Sequence, residues 1–171
     1  AHVPSPSPRQ ETSILFVGGL HQRKGVCDLI SAFALLSEQI DTGHLYVVGE
    51  GPGRDEYNAM VEKLGLQGRI TFCGARQDPR QSMRDADIFV LPSLSDPAPL
   101  VISEAREAGC AIVASAVDGI PEMLEFGQAG LLVPPSRPDI LAKTLGSLLQ
   151  DYALLQEWKH RSQIGIAKLS L

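Results

Sequence analysis

Short apolar runs alternate with longer amphipathic segments along most of the chain. The apolar runs are rich in β-branched and aromatic residues, and each is closed by Gly, Pro or Ser, which is typical of strands in a buried sheet. The predicted strands are SILFVG, HLYVVG, ITFCG, IFVLPS, AIVAS and GLLVPP. This alternation predicts an α/β fold, a doubly wound, Rossmann-like parallel sheet of about six strands with helices on both faces.

Helices are predicted between the strands, because apolar positions recur there at helical spacing. They span residues 24–40, 54–65, 78–85, 99–109, 119–126, 137–149 and 152–168. The apolar stripe of the first helix is predicted at Cys27, Ile30, Phe33, Ala34 and Ile40. The Pro/Ser-rich residues 1–12 are predicted to form a linker or tail, and residues 13–171 a single domain.

Composition narrows the class of protein. The chain has 171 residues, of which 44% are hydrophobic, so it can bury a core of its own. A formal net charge of −5 without a dense basic block argues against a nucleic-acid partner or an anionic membrane surface. No apolar run reaches the roughly 18 residues of a transmembrane segment. The three cysteines, Cys27, Cys73 and Cys110, are predicted to be reduced core thiols of a cytosolic protein.

The loops after the strands are the candidate sites, because doubly wound sheets bind ligands at the carboxyl ends of their strands. After the first strand, VGGLHQRKG offers Gly18 and Gly19 for close backbone approach, with Arg23 and Lys24 near a helix N-terminus. This favours a phosphate site; the alternative is a Gly-rich turn with a solvated lysine. The loop fits neither the Walker pattern nor GxGxxG.

The next two loops carry weaker signals. VGEGPGRDEY follows the second strand, and Gly49 and Gly51 would permit close approach to a ligand, although glycine also simply ends strands. ITFCGARQDP follows the third strand, where Gly74 and Arg76 would lie near a base. A loop with one arginine is equally ordinary.

The fourth strand leads into SLSDPAPLVISEAREAGC, where Asp96 and Glu104 are eight positions apart. Pro99 suits the first position of a helix, which places Glu104 about one and a half turns further on. Carboxylate oxygens accept hydrogen bonds from a vicinal diol, so the pair suits recognition of a ribose or a hexose. The alternative is that Asp96 or Ser95 caps the helix and Glu104 is a solvated helix residue.

The remaining motifs add little chemistry. Asp118 and Gly119 form a predicted turn after the fifth strand, which is a further candidate for contact with a sugar. The histidines have no partners at metal-ligand spacing, so no metal site is predicted. No GxSxG elbow and no Ser/His/Asp or Cys/His set stands out.

Taken together, these loops resemble the C-terminal, donor-binding domain of the retaining glycosyltransferases of family 4, which have the GT-B fold. The resemblance runs from about Ser13 to Asp151. It rests on ordered segments: ILFVGGLHQRKGVCDLISAFALL, LYVVGEGP, ITFCG, ADIFVLPS, EAREAGCAIVAS and DGIPEML…GLLVPP. The two-carboxylate motif of that family, E-x7-E, is represented here by Asp96 and Glu104.

The resemblance implies roles for individual residues. Lys24 would hold the diphosphate of a nucleoside-diphosphate sugar, Asp96 would face the transferred sugar and Glu104 would accept the ribose hydroxyls; these three are the candidate catalytic residues. The other donor-binding candidates are Gly18, Gly19, Arg23, Gly49, Gly51, Cys73, Gly74, Arg76, Ala98, Pro99, Leu100 and Val101. No cofactor or metal is expected, because fixed cations and helix N-termini neutralise the diphosphate.

The same resemblance sets expectations for the whole protein. The chain would be one half of a two-domain hexosyltransferase of carbohydrate biosynthesis, and uridine diphosphate sugars are the commonest donors of that family. An acceptor-binding N-terminal domain would be missing, so the isolated chain is expected to bind donor without transferring sugar. The expected location is the cytoplasm, with the missing domain as the route to the inner face of a membrane.

Three departures from the family pattern keep two alternatives open. Gly19 stands where the family commonly has Arg, Asp96 is one methylene shorter than Glu, and Pro97 stands where Gly is frequent. One alternative is a degenerate GT-B-like binding domain without transferase activity. The other is a domain of the sugar-nucleotide epimerase type.

Overall fold

A computed structural model describes residues 11–97 and 99–166, and within them the chain forms six strands and seven α-helices. The strands are β1 (Ser13–Val17), β2 (His44–Val48), β3 (Ile70–Gly74), β4 (Ile88–Leu91), β5 (Ala111–Ser115) and β6 (Leu131–Val133). The helices are α1 (Val26–Ser37), α2 (Arg54–Lys63), α3 (Arg80–Asp85), α4 (Leu100–Ala108), α5 (Ile120–Met123), α6 (Pro138–Gln150) and α7 (Tyr152–Gln163). Short 3-10 turns cover Gln22–Lys24 and Glu125–Gly127.

The strands form one parallel sheet in the order β3-β2-β1-β4-β5-β6. The predicted doubly wound α/β fold is therefore confirmed. The chain runs outward from β1 to β3 and then returns to β4, which pairs with β1 through Ile14 and Ile88. The loops after β1 and β4 leave in opposite directions at this reversal, and ligands of open α/β sheets bind in such a crevice.

Helices cover both faces of the sheet. On one side α1 contacts α2 and α6, and on the other α4 contacts α3 and α7. The strands supply the centre of the core, since Phe16, Ile88 and Phe89 are fully buried. In a strand that is covered on both faces, the side chains on both sides are buried and are therefore mostly apolar. This explains why β4 and β5 are apolar at almost every position.

The predicted stripe of α1 was partly wrong. Its buried residues are Val26, Leu29, Ile30, Ala32, Phe33 and Leu36. Cys27 is exposed instead, because α1 begins after Gly25 and its apolar face is rotated relative to the prediction. Of the predicted tail, residues 1–10 lie outside the described part of the chain, as does the predicted last turn of α7 beyond residue 166.

A buried arginine anchors α4. Arg106 is 1% exposed, and its guanidinium donates to the carbonyl oxygens of Ser162, Met123 and Ile164 and to the carboxylate of Glu125. Burying a guanidinium is costly unless its N–H groups are paired, and here four hydrogen bonds involve all three of its nitrogens. No sequence motif marks this residue, because its partners are mostly backbone carbonyls from distant segments. Arg106 thus ties the helix that carries Glu104 to α5 and to the end of α7.

Candidate functional site

The turn that carries Lys24 packs directly against the end of β4. Gly25 follows the 3-10 turn with φ of 76°, and a Cβ there would stand 1.9 Å from the carbonyl oxygen of Pro92. Only glycine combines this left-handed backbone with so close a contact. The backbone N–H of Leu94 then donates to the carbonyl oxygen of Arg23 at 2.8 Å. The loop after β1 and the loop after β4 are therefore held side by side at the reversal of strand order.

Lys24 and Asp96 form an ion pair in this crevice. The Lys24 ammonium donates to Oδ2 of Asp96 at 2.6 Å, and the side chains are 18% and 8% exposed. The hydroxyl of Ser93 donates to the same oxygen at 3.2 Å. Within residues 11–97 and 99–166, no group donates to Oδ1 of Asp96, and the Lys24 ammonium has no other hydrogen bond. An ammonium has three N–H donors, so two remain for a ligand.

Asp118 joins this cluster from the loop after β5. Its Oδ2 accepts from the backbone N–H of Asp96 at 2.7 Å and from the hydroxyl of Ser95 at 3.1 Å. The residue has a φ of 48°, in the left-handed region. The turn was predicted from the sequence, but this contact was not. An Asp-Gly pair after a strand was the available signal, because aspartate tolerates left-handed backbone and its carboxylate accepts from nearby N–H groups.

Glu104 lies on α4 and is half-buried. Its carboxylate makes no hydrogen bond or ion pair within residues 11–97 and 99–166, so it is available to a ligand. Its charge acts on Arg80 of α3. A hydrogen bond from Arg80 to Asp78 raises the pKa of the guanidinium, and the charges of Glu104 and Glu107 add to that effect.

The start of α4 differs slightly from the prediction. The helix begins at Leu100, and Pro99 precedes it as the N-cap, with its carbonyl oxygen accepting from the N–H of Ile102. Leu100 is 74% exposed and Val101 is half-buried. Ala98 lies outside the described residues. The first turn of α4 thus stands beside the Asp96 loop with an apolar side chain facing solvent.

Four of the predicted donor-binding glycines lie where the first three loops pack together. The N–H of Gly18 donates to the carbonyl of Val48, and the N–H of Gly49 donates to that of Gly74. A Cβ at Gly49 would stand 1.8 Å from the carbonyl oxygen of Gly18, and one at Gly51 would stand 2.6 Å from that of Leu20. Packing between loops thus accounts for Gly49 and Gly51 without a ligand.

Gly19 and Arg23 border the Lys24 turn. Gly19 is half-buried, and a Cβ there would meet the ring of His21 at 2.9 Å. Arg23 is exposed, and its side chain has no hydrogen bond or ion pair within the described chain. A second cation therefore lies beside the crevice with no partner among residues 11–97 and 99–166.

Cys73 and Arg76 lie in a different place. They line an open groove of about 660 Å³ on the face of the sheet, together with Tyr46, Val48 and Asp87. Lys24 and Asp96 do not line this groove. Contact of the two residues with a nucleotide base therefore remains a prediction.

The other sequence predictions concern thiols, metals and membranes. The three cysteines are free, and Cys110 is buried, Cys73 half-buried and Cys27 exposed, so the predicted core position is wrong for Cys27. Across residues 11–97 and 99–166, no group of three His, Cys, Asp or Glu residues is arranged to hold a metal ion. In the same residues no helix is long and apolar enough to span a bilayer.

Comparison with known proteins places the chain in a family. Residues 11–151 match the family described as Glycosyl transferases group 1. The chain belongs to this family. One curated member, the D-inositol 3-phosphate glycosyltransferase of Corynebacterium glutamicum, is 34% identical over 153 residues, which cover 84% of this chain and 36% of that enzyme. The chain spans less than half the length of this and other curated relatives.

Solved structures of GT-B glycosyltransferases share this fold. Anabaena HepE in complex with UDP is 26% identical, with a TM-score of 0.82 over 92% of this chain and 44% of that one. The C-terminal domain of LpcC from Francisella tularensis, a group 1 glycosyl transferase, is 25% identical, with a TM-score of 0.81. It covers 92% of this chain and 85% of the LpcC chain.

Proposed function

We propose that this chain is the donor-binding C-terminal domain of a retaining, family 4 glycosyltransferase, which moves a sugar from a nucleoside-diphosphate sugar to an acceptor. The observation that carries the proposal is the place of the Lys24–Asp96 pair, between the loops that leave β1 and β4 at the reversal of strand order. Nucleotide ligands of doubly wound sheets bind at that point. A partly exposed cation in this crevice suits a diphosphate.

The diphosphate would bind to Lys24. Two of its N–H donors are unused within the described chain, and the ion pair with Asp96 holds the ammonium in place without using them. The N-terminal end of α4 lies beside the same loop, and a helix N-terminus attracts anions. Gly18 and Gly19 would let backbone approach the phosphates, and Arg23 would add a second positive charge at the rim.

The carboxylates would recognise hydroxyl groups. The proposal assigns Oδ1 of Asp96 to the transferred sugar, because that oxygen has no donor within the described residues. It assigns Glu104 to the ribose, since an unpaired carboxylate can accept from both hydroxyls of a diol. Gly74, Cys73 and Arg76 are proposed to lie beside the base. No nucleophile of the protein is assigned.

The proposed chemistry uses no metal. Negative charge grows on the diphosphate as the glycosidic bond to the sugar breaks, and preorganised cations and backbone N–H groups stabilise that charge. Lys24 and the start of α4 would supply this stabilisation. The leaving group would then be a nucleoside diphosphate that departs with its charge already paired.

The whole enzyme would be larger than this chain. The curated relatives are more than twice as long as the part that matches, and the LpcC structure of similar extent is a C-terminal domain. An acceptor-binding domain is therefore proposed to complete the enzyme, and the chain alone is expected to bind donor without turnover. HepE was solved with UDP, which supports a uridine diphosphate sugar as the first donor to test.

A matched pair of variants on α4 tests the proposal. Glu104→Gln should weaken binding of UDP-glucose by roughly 1–3 kcal/mol, because a glutamine amide has one acceptor oxygen in place of two and carries no charge. Glu107→Gln, three residues further along and exposed, should leave the affinity unchanged. Equal affinities of the wild type and Glu104→Gln would contradict the assignment of Glu104 to the ribose.

A further inference from the structure

The carboxylate of Asp118 is not among the residues assigned to the donor, yet it contacts the loop that carries Asp96. We propose that Asp118 is a positioning residue: it fixes the backbone of Asp96 and, through Asp96, the ammonium of Lys24. This inference rests on the proposed function, because the pair it positions is the one assigned to the donor.

The geometry forms a continuous chain of contacts. Oδ2 of Asp118 accepts from the backbone N–H of Asp96 at 2.7 Å, and Oδ2 of Asp96 accepts from Lys24 at 2.6 Å. Asp96 is therefore held at its backbone by one loop and at its side chain by another. The hydroxyl of Ser95 donates to the same oxygen of Asp118 at 3.1 Å, so two consecutive residues are attached to one carboxylate. Hydrogen bonds to ionised acceptors are the strong ones.

Backbone packing supports the same role. Gly119 lies so close to the loop after β4 that a Cβ there would stand 2.3 Å from the carbonyl oxygen of Pro97. Asp118 itself has a φ of 48°, which costs energy for any residue with a side chain. Strained backbone persists when its surroundings determine it, and it concentrates at ligand sites. The loop after β5 thus supports the loop of Asp96 on two sides, by a carboxylate and by a glycine.

A positioning role and a purely electrostatic role of Asp118 predict opposite changes in affinity for a diphosphate. Asp118 is exposed and negative, so its charge alone would repel a diphosphate, and removing it would strengthen binding. A positioning acceptor has the opposite effect, because its loss frees Asp96 and lets Lys24 move. Asparagine keeps an acceptor oxygen but no charge, whereas glycine keeps neither. Both residues tolerate left-handed backbone, so neither substitution adds strain at φ of 48°.

The test compares the Asp118→Asn and Asp118→Gly variants with the wild-type chain, first without ligand. Amide NMR spectra report the hydrogen bond on the N–H of Asp96, and the side-chain ammonium signal of Lys24 reports its ion pair. Asp118→Gly should shift the Asp96 amide signal and broaden or lose the Lys24 ammonium signal. Asp118→Asn should keep both close to wild type. Wild-type spectra for Asp96 and Lys24 in Asp118→Gly would overturn the proposal.

The second readout is affinity for UDP. Asp118→Gly should lower it by about tenfold, and Asp118→Asn should restore most of it. Unchanged or tighter binding by Asp118→Gly would overturn the link between Asp118 and the donor, whatever the change in its stability. If the wild-type chain fails to bind UDP, the proposed function fails and this link fails with it. The spectra without ligand decide separately whether Asp118 holds Asp96.

Discussion

The α-carbon of Gly25 faces the carbonyl oxygen of Pro92 so closely that a Cβ at position 25 would stand 1.9 Å from that oxygen. Pro92 directly follows β4, and Gly25 directly follows Lys24 and precedes α1. The contact therefore sets the distance between the two loops that hold the Lys24–Asp96 pair. Packing therefore requires glycine at position 25, independently of the role proposed for Lys24.

The first prediction concerns Gly25→Ala. The new Cβ would have to displace the backbone at Pro92, and the alanine would have to adopt a φ of 76°. The free energy of unfolding should therefore fall by more than about 3 kcal/mol. Gly65→Ala is the matched control, because Gly65 has a φ of 69° and nothing within 4 Å of its Cβ position. It should cost only about 1 kcal/mol. Equal costs in urea unfolding would contradict the close contact.

A second prediction concerns the anchor of α4. Arg106→Met removes the donors to the carbonyl oxygens of Ser162, Met123 and Ile164 and should lower the free energy of unfolding by about 2–4 kcal/mol. Glu125→Gln is the control, since the Glu125 side chain is 41% exposed and its ion pair should contribute less than about 1 kcal/mol. Guanidinium chloride unfolding of both variants gives the comparison. A small loss for Arg106→Met would mean that the arginine does not anchor the helix.

The third prediction concerns pH. Burial raises the pKa of the Cys110 thiol from 9.0 to about 12. Below pH 9 the folded and unfolded states both keep the proton, and above it the unfolded state loses its proton first. Between pH 9 and about 12 the free energy of unfolding should therefore fall, by at most about 1 kcal/mol per pH unit from this group.

Comparison with Cys110→Ala isolates that effect. Cys27 and Tyr57 also have raised pKa values, chiefly through burial, but they are present in both proteins and cancel in the difference. The variant should lose less stability than the wild type as pH rises above 9. Parallel curves for the two proteins would show that Cys110 ionises as easily in the folded state as in the unfolded one.

Much of the fold follows from local patterns. Six apolar runs ended by Gly, Pro or Ser became six strands, and ITFCG and AIVAS match β3 and β5 residue for residue. The stripe of α1 was harder to place, because apolar residues lie on more than one side of it and the true start depends on the contact between Gly25 and Pro92. That contact joins residues far apart in the sequence.

Loop motifs in the sequence mark the residues of the candidate site, but nothing in the sequence marks the contacts that support them. Lys24 and Asp96 were identified from their loops, and the structure brings them within 2.6 Å. The anchoring by Asp118 and Arg106 was missed because both act through backbone groups, which carry no sequence signal of their own. Gly49 is the opposite case, in which a residue predicted to bind a ligand is already explained by packing. Its α-carbon packs against the carbonyl oxygen of Gly18, which leaves no space for a side chain.

The most direct test of the donor-domain proposal is an amide NMR titration of the chain with UDP in the presence of a metal chelator, run in parallel on Lys24→Gln. The wild type should show saturable shifts at Gly18, Lys24, the loop 93–97 and the first turn of α4, and Lys24→Gln should bind at least about tenfold more weakly. Lys63→Gln, which removes an exposed lysine at the end of α2, should match the wild type. No saturable shift at millimolar UDP, or equal binding by Lys24→Gln, would contradict the account.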